Sequence, residues 1–227
     1  MVNKIAAGVV RFQHDVYTKR QRLFRELAFG QSPEALFITC SDSRIDPNLI
    51  TQTDPGELFI CRNAGNIVPP HSSHTGAMTA SIEYAVGALK VPHIIICGHT
   101  HCGAMSGALH PETLDKLPHV REWLSHAKAA ELIARESGEG LSEEAKLDLL
   151  TKENVLLQMA HIKTHPYVAA AVSSRRVEIH GWVYDIASGE VVAFDEARRD
   201  FIPVSEYYRD QIKSNDQQGD APKISVV

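Results

Sequence analysis

The sequence of 227 residues lacks any apolar run that approaches the roughly 20 residues needed to cross a bilayer. Its N-terminal residues, MVNKIAAGVVRFQHD, also lack a long apolar stretch followed by a small-residue cleavage site. We therefore expect an intracellular, cytoplasmic protein that has no membrane partner.

Concentrated positive charge is missing too. The net charge is −5, and acidic and basic residues are interspersed, so no basic stripe is available to neutralise phosphates. Glycines 98 and 103 fit neither G-x-G-x-x-G nor G-x-x-x-x-G-K, the two common phosphate-binding patterns. Nucleic acids and nucleotides are therefore not expected ligands.

Cysteine is scarce, with four in the whole chain. In a reducing compartment, so few cysteines indicate metal binding, catalysis or simple burial rather than a disulfide framework. Cys61 and Cys97 lie inside apolar runs, and burial is the favoured interpretation for both. Cys40 and Cys102 remain as candidates for chemistry.

Short apolar runs bounded by turn residues predict strands over 35–39, 58–62, 93–98, 177–186 and 190–195. Helical patterns cover about 4–28, 76–90, 118–137 and 143–163, with a short helix after Pro166. This order predicts an α/β fold with a mostly parallel central sheet flanked by helices. We expect one domain over 1–209 and a disordered polar tail over 210–227.

Three nitrogen and sulfur ligands follow two of the predicted strands. Cys40 comes directly after the first strand, while His99 and Cys102 come after the third. Ligands of open α/β sheets bind at the carboxyl ends of the strands, where these side chains would meet. Two thiolates and one imidazole suit tetrahedral zinc, and three protein ligands leave the fourth position to a water whose pKa falls to about 7. The pattern predicts a catalytic zinc.

Two charged residues stand beside the first ligand. Asp42 could accept a hydrogen bond from the water on zinc, or its carboxylate could reach the metal itself. Arg44 presents a planar fork that can hold this carboxylate in two hydrogen bonds and lower its pKa. We expect the pair to position the nucleophile.

Simpler interpretations compete with each single residue. A lone cysteine at a strand end is usually a small buried hydrophobe, and an isolated H-x-x-C pair is a weak signal. Of the 12 histidines, His99 alone has a strong case; packing or surface roles are favoured for His71, His74, His93 and His101.

Several segments together resemble the β-class carbonic anhydrases: CSDSR at 40–44, PGELFICRNAGN at 55–66, SIEYAV at 81–86, CGHTHCGA at 97–104 and HGWVYD at 180–185. The resemblance implies a lyase that hydrates carbon dioxide reversibly to bicarbonate and a proton. It also implies Zn²⁺ on Cys40, His99 and Cys102, and attack by zinc-bound hydroxide that the Asp42–Arg44 pair orients.

The resemblance extends to the plant-like subclass, whose resting zinc is open. Gln31 stands where that subclass has an amide donor to substrate oxygen, and Phe37 replaces the tryptophan of the regulated subclass. In some members Asp42 swings onto zinc as an alternate ligand in a closed state. The apolar wall of the substrate pocket corresponds to Phe59, Ala64 and Tyr84, supplied by the same or the facing subunit.

The resemblance further implies N-terminal helices that pack on a partner subunit, an antiparallel C-terminal edge strand, and a homodimer that often forms a homotetramer or larger assembly. The proton shuttle stays open among His71, Tyr84 and His101. Two other functions also stay open: a carbonyl sulfide or carbon disulfide hydrolase on the same scaffold, and a noncatalytic zinc-stabilised module that recruits partners through residues 210–227.

Overall fold

The computed structural model describes residues 2–72 and 75–218, and the chain divides into two compact units at the Ser32–Pro33 bond. The first unit consists of α1 (Val2–Arg11), a π-helical turn (Phe12–Val16), α2 (Tyr17–Lys19) and α3 (Gln21–Leu27). Among the described residues of these helices, none is buried. The single domain predicted over 1–209 stays a prediction.

The second unit contains one six-stranded sheet in the order β2-β1-β3-β4-β5-β6. The first four strands in this order are mutually parallel, and the last two pairs are antiparallel. This arrangement confirms the predicted α/β fold with a mostly parallel sheet. The strands are β1 (Ala35–Cys40), β2 (Leu58–Asn63), β3 (His93–His99), β4 (Glu178–Tyr184), β5 (Val191–Asp195) and β6 (Asp200–Pro203).

Helices connect the strands and cover the sheet. Ser142 caps the longest helix by accepting a hydrogen bond from the amide of Ala145. No helix of the described residues is both long and apolar enough to cross a membrane. The helices are α4 (Pro47–Thr51), α5 (Ala77–Glu83), α6 (Gly103–Leu109), α7 (Pro118–Leu124), α8 (Lys128–Ser137), α9 (Glu143–Ile162), α10 (Pro166–Ser173), α11 (Val204–Tyr207) and α12 (Arg209–Gln218).

The central strands carry side chains into apolar layers on both faces. All six residues of β1 are buried, as expected for a parallel strand covered on both sides. Helix α9 packs closely on β3 and β4 at two glycines: a Cβ on Gly98 would lie 2.8 Å from Val155 Cγ2, and one on Gly181 would lie 2.5 Å from Met159 Sδ. Glycine at both positions lets the helix approach the sheet.

Cys61 and Cys97 are buried in these layers, in agreement with the packing role favoured for them. Burial raises the pKa of Cys97 to about 12 and also raises the pKa of Cys61. Both thiols therefore stay protonated and unreactive at neutral pH.

The C-terminal part contains two elements that the sequence did not predict, β6 and α12. Strand β6 lies beyond β5 at the edge of the sheet, so the antiparallel extension has two strands. Helix α12 extends to Gln218 within the tail predicted over 210–227, whose predicted disorder stays a prediction. Residues 219–227 lie outside the described residues.

Candidate metal centre

Three donor side chains meet at the carboxyl edge of the parallel strands. Cys40 is the last residue of β1, His99 is the last residue of β3, and Cys102 is the N-cap of α6. Strands β1 and β3 are direct neighbours, so these ends lie side by side. We call Cys40, His99 and Cys102 the metal-ligand group.

The geometry of the metal-ligand group suits a tetrahedral ion. Its three donor atoms all lie within 4.8 Å of one another, and the two Sγ atoms are 3.9 Å apart. Two sulfurs at 2.3 Å from a tetrahedral zinc would be about 3.8 Å apart. The observed sulfur separation therefore needs little change to hold the ion.

The imidazole of His99 is oriented as a ligand. Its Nδ1–H donates to the carbonyl of Thr100 at 2.9 Å, which places the lone pair on Nε2. Nε2 is buried and has no hydrogen-bond partner in the described structure. A buried nitrogen left unpaired costs free energy, and a metal ion in the group would satisfy it.

The two thiols share one environment. The Cys102 thiol, His99 and the amide of Gly65, 3.4 Å from Cys40 Sγ, stabilise a thiolate at Cys40 and lower its pKa to about 4 despite burial. The bond to that thiolate and burial together raise the pKa of Cys102. The pair therefore favours a thiolate at Cys40, and a divalent cation would favour loss of the second proton.

Asp42 and Arg44 form the expected pair. Arg44 Nε donates to Asp42 Oδ1 at 2.9 Å and Nη2 donates to Oδ2 at 2.7 Å, a bidentate contact. These bonds hold the pKa of Asp42 far below its usual range. Asp42 Oδ2 also lies 3.9 Å from His99 Nε2, so the carboxylate borders the space in front of the metal-ligand group.

A second arginine, which was not among the predicted site residues, fixes the same loop. Arg62, at the end of β2, donates from Nε to the Cys40 carbonyl at 3.0 Å and from Nη2 to the Asp42 carbonyl at 2.7 Å. Its position could have indicated this role, because Arg62 lies in the CRNAGN stretch at the end of a predicted strand.

Gly65 is another residue whose role the structure reveals. Its φ of 80° is in the left-handed region, and a Cβ there would lie 2.8 Å from Met105 Cε. The Asn154 amide holds the Gly65 carbonyl at 3.0 Å, and the Gly65 amide points to Cys40 Sγ. The amide–thiolate contact therefore depends on glycine at this position.

The three residues predicted to form the apolar wall of the substrate pocket do not lie together in one chain. Ala64 adjoins Gly65 and so lies near Cys40, whereas Phe59 pairs with Leu36, four residues or about 13 Å before Cys40 along the strand. Tyr84 contacts Phe59, with ring centroids 5.9 Å apart, and is half exposed. Phe59 and Tyr84 thus form a patch at the other end of β2.

The remaining candidates are dispersed. Gln31 lies in the first unit, and its predicted role stays a prediction. His101 is exposed with a φ of 52°, and its carbonyl accepts from Arg44 Nη2 at 3.0 Å. His71 stacks edge-on against His165, and His93 lies beside His180. His74 is outside the described residues.

Comparisons with known proteins identify the family of the chain. A profile of the carbonic anhydrase family matches residues 35–191. The chain is 50% identical over 203 residues to a carbonic anhydrase of Pseudomonas aeruginosa, covering 89% of this chain and 92% of that protein. It is 45% identical to carbonic anhydrase 1 of Escherichia coli O157:H7, covering 90% and 93%.

Solved structures show the same fold. The β-carbonic anhydrase CcaA superposes with a TM-score of 0.87 at 40% identity, covering 89% of this chain and 91% of that chain. A tetrameric β-carbonic anhydrase of the filamentous ascomycete Sordaria macrospora superposes with a TM-score of 0.77 at 32% identity, covering 85% and 95%.

Proposed function

The chain belongs to the carbonic anhydrase family, in its β class, and from this premise we propose that it hydrates carbon dioxide reversibly to bicarbonate and a proton at the metal-ligand group. The observation that carries this proposal is the buried, unpaired Nε2 of His99, which faces two cysteine sulfurs and borders a carboxylate held by arginine. Three protein ligands are one fewer than a structural tetrahedral zinc site normally has, and the Asp42 carboxylate lies beside the position that a fourth ligand would take.

Cys40, His99 and Cys102 would hold the zinc. Zinc in such a site acts as a Lewis acid that makes water a good nucleophile near neutral pH. The residues around it do the remaining work: the Thr100 carbonyl locks His99 in one tautomer, and the Cys102 thiol, with the Gly65 amide, favours the thiolate of Cys40. The centre is therefore prepared for the metal before the metal binds.

Asp42 accepts a hydrogen bond from the reacting water and so directs an oxygen lone pair toward carbon dioxide. An acceptor for this task must stay ionised and must not move, and Arg44 secures both by its bidentate contact. The arrangement also supports the open, plant-like resting state, because Asp42 must leave Arg44 before it can become an alternate ligand. The buried Phe37 at the regulated subclass's tryptophan position is consistent with that state.

The substrate wall includes Ala64 from the subunit that holds the metal, and Phe59 and Tyr84 from the facing subunit. The separation of Phe59 from Cys40 along β1 and β2 supports this division. Such a wall is apolar and excludes water, which suits a small nonpolar substrate. Gln31 donates its amide to a substrate oxygen as charge develops there.

The assembly is a homodimer that associates further into a homotetramer. A solved relative is described as tetrameric, and α1 exposes the apolar side chains of Val2, Ile5 and Val9. These side chains pack on a partner subunit in the proposal. Light scattering checks it: Ile5→Glu is expected to lower the molar mass, and an unchanged mass counts against packing through α1.

Stopped-flow hydration of carbon dioxide with a pH indicator near pH 8 tests the reaction. Zinc-loaded wild type is expected to turn over rapidly, Cys102→Ala to lose zinc and activity together, and Asp42→Asn to keep zinc but lose at least about 100-fold in rate. An inactive, zinc-loaded wild type would overturn the proposal and favour carbonyl sulfide or carbon disulfide as the substrate.

A further inference from the structure

A second group of donor side chains lies at the opposite, N-terminal ends of two of the parallel strands. His93 is the first residue of β3, and Glu178 and His180 belong to the start of β4. His93 pairs with Glu178, and Ile95 pairs with His180. Alternate residues of a strand share a face, so the three side chains meet on one side of the sheet. The proposed hydration reaction uses none of them.

The donor atoms are close to the spacing of a metal site. His93 Nδ1 lies 3.2 Å from His180 Nε2, and Glu178 Oε2 lies 3.8 Å from His93 Nδ1 and 4.0 Å from His180 Nε2. Ligands about 2.0–2.2 Å from a tetrahedral zinc are about 3.3–3.6 Å apart. A small inward movement of the exposed Glu178 carboxylate would complete this geometry.

The partly buried His180 also has the hydrogen-bond partner on its other ring nitrogen that histidine ligands of metals usually have. His180 Nδ1 is 2.9 Å from the hydroxyl oxygen of Tyr208, which accepts a hydrogen bond from Trp182 Nε1 at 3.3 Å. An Nδ1–H that donates to this oxygen leaves the lone pair on Nε2, facing His93. Burial, with His93 nearby, lowers the pKa of His180, which supports the neutral form that binds metals.

An entry path exists. His93, Glu178 and His180 line a cavity of about 470 Å³ together with apolar side chains that include Leu58, Trp182 and Ile212. The side chains of His93 and Glu178 are 44% and 72% exposed. An ion can therefore reach the donors from solvent without any opening of the core.

We propose that His93, Glu178 and His180 form a second site for a divalent transition-metal ion that prefers imidazole and carboxylate ligands, such as zinc. The site lies six residues along β3 from His99, a distance of about 20 Å. It binds more weakly than the metal-ligand group, because it has no thiolate and one of its ligands is an exposed carboxylate.

Equilibrium dialysis of untagged full-length protein against micromolar free zinc, with metal measured by mass spectrometry, tests the proposal. Wild type is expected to bind two zinc ions per chain. His93→Ala and Glu178→Gln are expected to keep the first ion and to bind the second at least about tenfold more weakly. His119→Ala, a change at an exposed histidine of α7, is the matched control and is expected to keep both.

Cobalt identifies the ligands of the second ion. Co²⁺ added to protein that already holds one zinc is expected to give visible bands of a nitrogen and oxygen site, without the near-ultraviolet charge-transfer band of a cobalt–thiolate site. One ion per chain in wild type, a thiolate band, or a second ion that binds equally in His93→Ala and His119→Ala would overturn the proposal. If His93→Ala failed to fold, Glu178→Gln at its exposed position would decide.

Discussion

The two ends of strand β3 carry a histidine in a cluster of donor groups, yet the two ends are built differently. At the carboxyl end the His99 side chain is completely buried, its tautomer is set by a backbone carbonyl, and two arginines fix the adjacent loop. At the amino end His93 is 44% exposed and its partner Glu178 is 72% exposed. At the carboxyl end, burial and hydrogen bonds to the ligands hold them in place before an ion binds. At the amino end, the ion itself must draw the ligands together.

After the metal ligands and Asp42, the largest expected effect is at Arg44, which holds Asp42 in place. Arg44→Gln removes the bidentate contact to Asp42, so the hydration rate at pH 8 is expected to fall about 10–100-fold although zinc is retained. Arg44→Lys, which keeps the charge but not the fork, is the matched control and should recover only part of the rate. Equal rates in wild type and Arg44→Gln would show that the fork is not needed.

The same contact predicts a pH dependence of stability. Arg44 lowers the pKa of Asp42 in the folded state, so the contact stabilises the protein above the unfolded pKa of about 3.9 and is lost as the pH falls through the folded pKa. The difference in Tm between wild type and Arg44→Gln is therefore expected to be largest near neutral pH and to shrink below about pH 4. A difference that grew on acidification would contradict this.

The next effect concerns the packing that holds the carboxyl end in place. In Gly98→Ala the added Cβ would lie 2.8 Å from Val155 Cγ2 and 3.3 Å from Thr151 Cγ2, both on α9. Overpacking of this kind is expected to lower the free energy of unfolding by about 1–3 kcal/mol in urea titrations. Gly103→Ala, whose Cβ meets no heavy atom within 4 Å, is the control and should not destabilise. Equal stability of the two variants would show that α9 moves enough to accommodate the added methyl group.

The smallest effect is expected at the amino end. Tyr208→Phe removes the hydroxyl between Trp182 Nε1 and His180 Nδ1, which leaves two partly buried groups without that partner. The expected loss is about 1 kcal/mol of unfolding free energy, measured in the same titration. The adjacent Tyr207→Phe serves as control. If the two phenylalanine variants were equally stable, the Tyr208 hydroxyl would not order this end.

Much of the fold was predictable because its signals are local. The five predicted strands and the placement of Cys40, His99 and Cys102 at or just after strand ends follow from short apolar runs and their flanking turn residues. The longer helices follow from helical patterns, whereas the short helices α4, α6 and α11 were not predicted. Strand β6 and helix α12 escaped prediction for the converse reason. Their sequences are short or polar, and β6 forms only because β5 lies beside it as an antiparallel partner.

The sequence by itself determined the donor set: an H-x-x-C pair after one strand, a cysteine after another, and an aspartate and an arginine two and four residues beyond that cysteine. Only the tertiary structure decided that β1 lies next to β3, that Arg62 and Gly65 reach back to Cys40, and that Phe59 and Tyr84 lie far from it along the strands. The physical reason is the distance along the chain over which each kind of contact acts. Spacing along one segment sets which side chains share an end or a face, whereas strand neighbours and hydrogen-bond partners depend on the packing of the whole sheet.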